Sequence, residues 1–337
     1  MRSTGKRFRY KLEWLGVLLA SKVVPLLPRS VCLFFGWLCG IIGPVFDREG
    51  RRVALANLEL AFGDDLSRRQ RYRIMRQSFR YFAQTMIDLL WSPRLTRENF
   101  REYIELENFE EAEPYTHPGQ PVIVITYHYS NFEWFSFACG YSDITALIIS
   151  QEFKNSLLDP MFKTLRERAG HEMTQRERGI VRLYKTLRRK GRAALLVDLT
   201  VPPHEGAVAI ECFGLKTSVT SAHAWLHQQT GAPILPAHCE PLPHGRYRVV
   251  FHPKVENTGN MTLQQITQAC WNSLEPYVRR DPAPWLWMYK HWRYKPRQPD
   301  RPYPYYAQSW KAFERLLAPA ATPGSGAPQS VPGQAVG

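Results

Sequence analysis

The 337 residues contain no Cys-x-x-Cys pair, no Walker phosphate loop, no Gly-x-Gly-x-x-Gly turn and no Gly-x-Ser-x-Gly elbow. Redox dithiols, nucleotide-driven chemistry, a dinucleotide fold and elbow-type serine hydrolysis therefore lack their usual sequence support. The six cysteines, at 32, 39, 139, 212, 239 and 270, are widely spaced, and two fall inside an apolar run. That pattern argues for buried thiols in a reducing compartment rather than a disulfide framework. His223 and His227 share a helical face at zinc-compatible spacing, but residue 224 is Ala instead of the Glu of a zincin, so no metal is expected. Acid is scarce relative to base: 30 Asp and Glu stand against 44 Lys and Arg, a formal net charge of +14. Such a surplus implies an anionic surface or substrate. No zinc-finger spacing, RNA-binding motif or basic heptad accompanies it, so the expected partner is an anionic membrane lipid and not nucleic acid.

Long apolar runs are few as well. Two lie near the N-terminus, Trp14 to Leu27 and Val31 to Phe46, parted by Pro25, Pro28 and Arg29. The second has sixteen residues. As helix it measures roughly 24 Å against about 30 Å of hydrocarbon. Basic residues flank both sides, Arg2, Lys6, Arg7, Arg9 and Lys11 before and Arg48, Arg51 and Arg52 after, so the positive-inside rule gives no vector for crossing. The expectation is a helical hairpin lying in or re-entering the cytoplasmic leaflet, with a single span as the alternative. Gly36-x-x-x-Gly40 has the spacing of a helix-packing motif, although glycine is common in apolar segments anyway. Residues 52–92 read as amphipathic helices broken near Gly63-Asp64-Asp65, with Asp65 and Ser67 as capping groups. The stretch from Pro319 is rich in Ala, Pro, Gly and Ser and reads as a disordered tail. Three parts result: a membrane-associated segment 1–46, a catalytic domain 47–318 and a tail 319–337.

From Pro121 the pattern is α/β. Expected strands are 121–126, 144–149, 193–198, 233–238 and 247–251. Expected helices lie near 131–140, 157–169, 179–190, 218–230 and 263–279. This predicts a mixed β-sheet flanked by helices. The stretch His128-Tyr-Ser-Asn-Phe-Glu133 follows the first of these strands and delivers a histidine and a carboxylate to its carboxyl end, where α/β sheets place their ligands. Five residues apart on one regular helix, the two side chains would diverge by about 140°. His128 is therefore expected in the strand-to-helix turn and Glu133 in the first helical turn, where Glu133 can accept from one ring nitrogen and leave the other to take a proton. Asp198 ends another apolar strand and either converges on the same crevice or caps a turn. Arg166, Arg168, Arg176 and Arg178 either hold phosphates bidentately or form a solvated basic face. The stretch Trp285-Leu-Trp-Met-Tyr-Lys-His-Trp-Arg-Tyr-Lys-Pro-Arg297 mixes rings and cations, as at a headgroup surface or the edge of a core.

These residues resemble a known family. His128-Tyr-Ser-Asn-Phe-Glu133 is similar to the His-x-Gly-Asn-Trp-Glu block of the bacterial lipid A late acyltransferases, the lauroyl and myristoyl transferases within the wider His-x4-Asp/Glu glycerolipid acyltransferase group. Arg51-Arg-Val-Ala-Leu-Ala-Asn-Leu-Glu-Leu-Ala-Phe62 resembles the family's Arg-x-x-x-x-x-Asn-Leu-x-x-x-Phe entry. Leu157-Leu-Asp159 with Arg166 and Arg168, then Asp198, then Phe213-Gly214 and the run 217–236, and finally Trp287 to Lys295 follow in the family's order. Departures are Ser130 for Gly, Phe132 for Trp, Leu199 for a polar residue, and Glu211-Cys212 before Phe213-Gly214. The resemblance implies a glycerolipid acyltransferase-like fold and O-acyl transfer from an acyl thioester, on acyl carrier protein or coenzyme A, to a hydroxyl of a lipid A-type glycolipid at the cytoplasmic face of the inner membrane. It implies His128 and Glu133 as catalytic, and Arg166, Arg168, Arg178, Asp198 and Asn131 as substrate-binding. No cofactor is implied beyond the thioester co-substrate. Acylation of a lysophospholipid or a phosphoinositide mannoside, or a silent membrane-binding homologue, are the competing readings.

Overall fold

The computed structural model describes residues 4–317 apart from Glu177 and Glu205; the expected tail 319–337 lies outside the described residues. The chain opens with four helices, α1 (Thr4–Val23), α2 (Arg29–Phe46), α3 (Arg48–Phe62) and α4 (Arg68–Trp91). Their starts follow from local chemistry. Pro28 cannot continue a helix and precedes α2. Asp47 accepts from the Gly50 N–H at the head of α3, and Ser67 forms a reciprocal capping box with Gln70 at the head of α4. Of the two caps expected near residue 65, Ser67 serves; Asp65 lies within a short 3-10 turn.

The helix α2 lies along α4, and the two glycines of its GxxxG spacing make that approach close. A Cβ at Gly40 would sit 2.7 Å from the Arg80 Cβ, and one at Gly36 would strike Gln84. The motif therefore packs helices within one molecule. By length and composition α2 is able to cross a membrane, but one side is buried on α4 while Phe34, Phe35, Trp37, Ile42, Val45 and Phe46 face outward.

After α5 (Phe100–Tyr103) come β1 (Ile104–Glu107), β2 (Val122–Thr126), α6 (Phe132–Tyr141), β3 (Leu147–Ser150), α7 (Asp159–Arg166), β4 (Glu172–Gln175), α8 (Gly179–Arg188) and β5 (Arg192–Leu196). A hairpin of β6 (Ala207–Cys212) and β7 (Leu215–Thr220) leads to α9 (Ala222–Thr230), β8 (Ile234–Pro241), β9 (Tyr247–Phe251) and α10 (Leu263–Arg280). Seven strands form one sheet in the order β1-β9-β8-β2-β5-β3-β4, parallel throughout except for the antiparallel β8–β9 pair. Both faces of β2 are buried, and its residues alternate between two cores as the strand period demands. Ile123 and Ile125 point to the side of α8, α9 and α10, whereas Val124 points to the side of α6 and α7.

This mixed sheet between helices is the fold class the pattern predicts. Two local expectations fail. Residues 218–220 are not helical; they complete β7, which pairs antiparallel with β6, and α9 starts only at Ala222. The hairpin turns on Phe213 and Gly214, both at positive φ (51° and 76°). A bulky ring at such a turn position is unusual. Here Phe213 is held by surrounding Trp271, Trp285 and Trp287 rings. Strand β4 also escapes the pattern, because its Glu-Met-Thr-Gln is too short and polar to read as a strand. No disulfide links the described cysteines, and Cys39 alone among the six is only half-buried.

Candidate active site

Strand β2 pairs in parallel with β5, with Thr126 opposite Leu196. Two residues beyond that register on each strand stand His128 and Asp198, on the same face at the carboxyl edge. The His128 Nδ1 lies 2.8 Å from Asp198 Oδ1, and the His128 backbone N–H donates to Asp198 Oδ2 at 3.0 Å. Asp198 Oδ2 also accepts from the Trp285 indole N–H at 3.0 Å. A carboxylate can only accept, so Nδ1 carries the proton and Nε2 is the nitrogen left free. Burial raises the Asp198 carboxyl, but the adjoining His128, together with His291 and the Trp285 bond, more than offsets it and holds the group below the usual carboxylate range. His291 stacks on Trp285 with 3.9 Å between ring centroids, and burial pushes its own pKa down to about 4.

The expected His128–Glu133 contact does not form. Glu133, on the first turn of α6, is engaged by Arg166 at the end of α7, with Nε at 3.1 and 3.0 Å from its two oxygens and Nη2 at 2.6 Å from Oε1. Burial lowers the Arg166 pKa and the Glu133 charge outweighs it, so the guanidinium is held above its ordinary value. The reason for the exchange of partners is geometric. Strand register brings a residue 70 positions away to the imidazole, whereas the start of α6 turns Glu133 toward α7.

Between the sheet and α6 lies a cavity of about 1030 Å³. His128, Glu133 and Arg166 line it, together with Phe82 and Met86 of α4. Its inner walls are mainly apolar, with Val124, Phe135, Cys139, Ile144, Ile148 and Met173 among them. His171 lies on the wall with its tautomer set, since Nδ1 accepts from the Ala146 N–H and Nε2 donates to Ser136 O. Arg176 and His204 line the cavity where it runs over the carboxyl edge of the sheet.

The remaining expected substrate-binding residues fall elsewhere. Asn131 is fully buried; its Oδ1 caps α6 by accepting from the Trp134 N–H at 2.9 Å, and its Nδ2 donates to Asp88. Asp198 is buried behind His128 rather than open to a ligand. Arg168 donates to Pro93 O on the surface, and Arg178 is exposed at the head of α8; neither lines the cavity. The ring-rich stretch 285–292 is core and not a headgroup surface: Trp285, Trp287 and Trp292 are fully buried. Sequence reasoning missed Asp88 and Arg29, for which the available signal was a lone acid in the apolar run 86–91 and a lone cation between two apolar segments.

A strand-end histidine backed by a buried carboxylate and lining a large, mainly apolar cavity suits transfer of a group that carries a hydrocarbon chain, and this chain is an acyltransferase. It belongs to the bacterial lipid A biosynthesis acyltransferase family, whose description matches residues 4–294. Among solved structures it is similar to the 1-acyl-sn-glycerophosphate acyltransferase of Thermotoga maritima, at 15% identity over 77% of this chain and 99% of that one, with a TM-score of 0.37. No curated protein matches it.

Proposed function

We propose that the protein moves a fatty acyl chain from an acyl thioester, of acyl carrier protein or coenzyme A, to a hydroxyl of a lipid A-type glycolipid at the cytoplasmic face of the inner membrane. The observation that carries this reading is the His128–Asp198 pair beside a cavity whose inner walls are mainly apolar and whose polar residues include His128, Glu133 and Arg166. Cavities for small ligands usually have about 300–1,000 Å³ and a few placed polar groups on apolar walls. This one, just above that range, has room for a chain of methylenes.

In the transfer, His128 Nε2 takes the proton of the acceptor hydroxyl as its oxygen attacks the thioester carbonyl carbon. Asp198 stabilises the imidazolium through Nδ1. The tetrahedral intermediate collapses with cleavage of the C–S bond, and the imidazolium returns the proton to the departing thiolate. No acyl-enzyme forms. Glu133 fixes the guanidinium of Arg166 in the cavity wall; Arg166 Nη1 makes no hydrogen bond to a described residue and is available to the carbonyl oxygen or to a phosphate of the substrate.

The N-terminal helices supply the membrane contact. Phe8, Leu12, Leu15, Leu19 and Val23 form an exposed stripe on α1 at helical spacing, next to Lys6, Arg7, Arg9 and Lys11. With the outward rings of α2 they make the face expected of an interfacial helix pair. The test is transfer from radiolabelled acyl-carrier-protein and coenzyme A thioesters to extracted lipid A precursor, lysophospholipid and phosphoinositide mannoside. Labelled lipid A precursor is the expected product. Label on another lipid only would overturn the acceptor, and no label on any lipid would overturn the activity.

A further inference from the structure

We infer that Asp88 and Arg29 form a positioning pair for acyl transfer, which makes the head of α2 part of the catalytic apparatus. The inference rests on the reading of His128 as the base. Asp88 sits in α4 with no exposed surface, yet five residue-to-carboxylate bonds converge on it. Arg29 donates through both terminal nitrogens, one at 3.0 Å; Asn131 Nδ2 donates at 2.8 Å, Gln84 Nε2 at 2.5 Å and the Tyr247 hydroxyl at 2.6 Å.

The decisive contact is the one to Asn131. An amide has a donor end and an acceptor end, and a carboxylate accepts only. Asp88 therefore compels Asn131 to turn its NH₂ inward, which leaves Oδ1 facing the Trp134 N–H as the cap of α6. That cap sets the first turn of α6, the turn that carries Glu133 and through it Arg166. The same turn is tied to α4 a second time, by the Thr85 hydroxyl donating to Ser130 O at 3.0 Å. On its other side it hangs from Ser130 N to Pro284 O and from Leu286 N to His128 O. With the Asp88 carboxylate the histidine turn is clamped from both sides; without it the α4 side keeps the Thr85 hydroxyl and the Trp134 indole N–H, which donates to the Asp88 carbonyl at 3.0 Å, and neither of these turns Asn131.

Arg29, the first residue of α2, completes the clamp. Its guanidinium lies over the rings of Trp91 and Trp134, 5.5 and 4.7 Å from their centroids, and also donates to Gly245 O at 2.8 Å. A buried ion pair is weak as a device for stability, since apolar replacement of both partners is often neutral, while removal of one partner leaves a stranded charge. Its worth here lies in orienting Asn131.

The experiment separates orientation from stability. Arg29→Met with Asp88→Asn removes both charges, so it is expected to melt within a few degrees of wild type and to stay membrane-bound, while kcat falls at least tenfold and KM for the acyl thioester stays within about twofold. Arg29→Lys keeps the charge and loses the paired donors; it is expected to fold normally with kcat lowered at least threefold. A folded double variant with wild-type kcat overturns the inference. If the double variant does not fold, Arg29→Lys decides: normal kcat overturns the inference, and a lowered kcat at unchanged melting temperature supports it. His128→Ala, assayed alongside, tells the two failures apart. Retained transfer in His128→Ala removes the base assignment itself, whereas its loss together with wild-type kcat in the pair variants removes only the positioning role.

Discussion

Residues 31–46 and 285–292 are both apolar, ring-rich and bordered by cations in the sequence, yet they have opposite fates. Trp37 is 48% exposed and Phe46 84%, whereas Trp285, Trp287 and Trp292 show no surface at all. The difference lies in backbone commitments. Helix α2 satisfies its own hydrogen bonds and needs a neighbour on one side only, which α4 provides. The later stretch is irregular, so its polar groups must find partners in the interior. They find them around the site: the Trp285 indole N–H on Asp198, Leu286 N on His128 O, and the Trp287 indole N–H on Pro282 O. Asn57 Nδ2 closes the set by donating to the carbonyls of Trp287 and Tyr289 at 2.8 Å each. Composition alone therefore does not tell an exposed helical face from a buried buttress of the site; the source of the backbone's partners does.

The largest effects are expected at the site itself. His128→Ala should lower kcat by roughly 10²- to 10⁴-fold with folding intact, and Asp198→Asn should follow it closely, because the amide does not stabilise an imidazolium. Trp285→Phe keeps most of the ring and removes the indole N–H; loss of one bond to a charged group should cost about tenfold in kcat. Wild-type rates in Trp285→Phe would reduce the buried stretch to mere packing.

A pair of matched substitutions comes next. Trp287→Ala should destabilise by about 3–5 kcal/mol in urea unfolding. Trp37→Ala should change stability by no more than about 0.5 kcal/mol while weakening sedimentation with anionic vesicles. Equal effects of the two on stability would erase the distinction between the regions.

Acid should then act on the buried side first. Burial pushes His223 down to about 3, and His252 and His291 to about 4, so each is neutral in the folded chain and takes up a proton on unfolding below its ordinary value. The unfolded state binds more protons across that window, so stability is full above about pH 6.5 and declines as pH falls toward 4, by up to about 1.4 kcal/mol per pH unit for each histidine. Asp198, whose folded pKa is depressed, adds a loss only at lower pH, as it is protonated below the ordinary carboxylate range. A melting temperature that does not change between pH 7 and 4.5 would contradict the burial of these rings. The smallest effect is expected at Ser130, which holds φ at +53° where the resembled block carries Gly. Ser130→Gly should relieve strain of about 1 kcal/mol and leave transfer near its normal rate.

Much of this architecture is legible in the chain. Strand 247–251 and the helix from Leu263 are read directly from hydrophobic period, and the position of His128 follows from β2 ending at Thr126. The partner of His128 is not legible, because local spacing offers Glu133 and only sheet register offers Asp198. Asn131 misleads for a similar reason: a polar residue in a site motif reads as ligand-facing, while its two ends serve a helix cap and a buried carboxylate. The β6–β7 hairpin is missed because its Thr- and Ser-containing second strand runs straight into α9.

The distances along the chain between these partners set an order of events during synthesis. Arg29 leaves the ribosome 59 residues before Asp88, and Asp198 waits a further 87 residues for Trp285. Since chains fold from the N-terminus as they emerge, the outward face of α2 is available to a bilayer while His128 still lacks both its carboxylate and the indole that steadies it. Under the function proposed above, attachment would precede competence, and an unfinished chain held at a membrane would have no assembled base with which to spend acyl thioester.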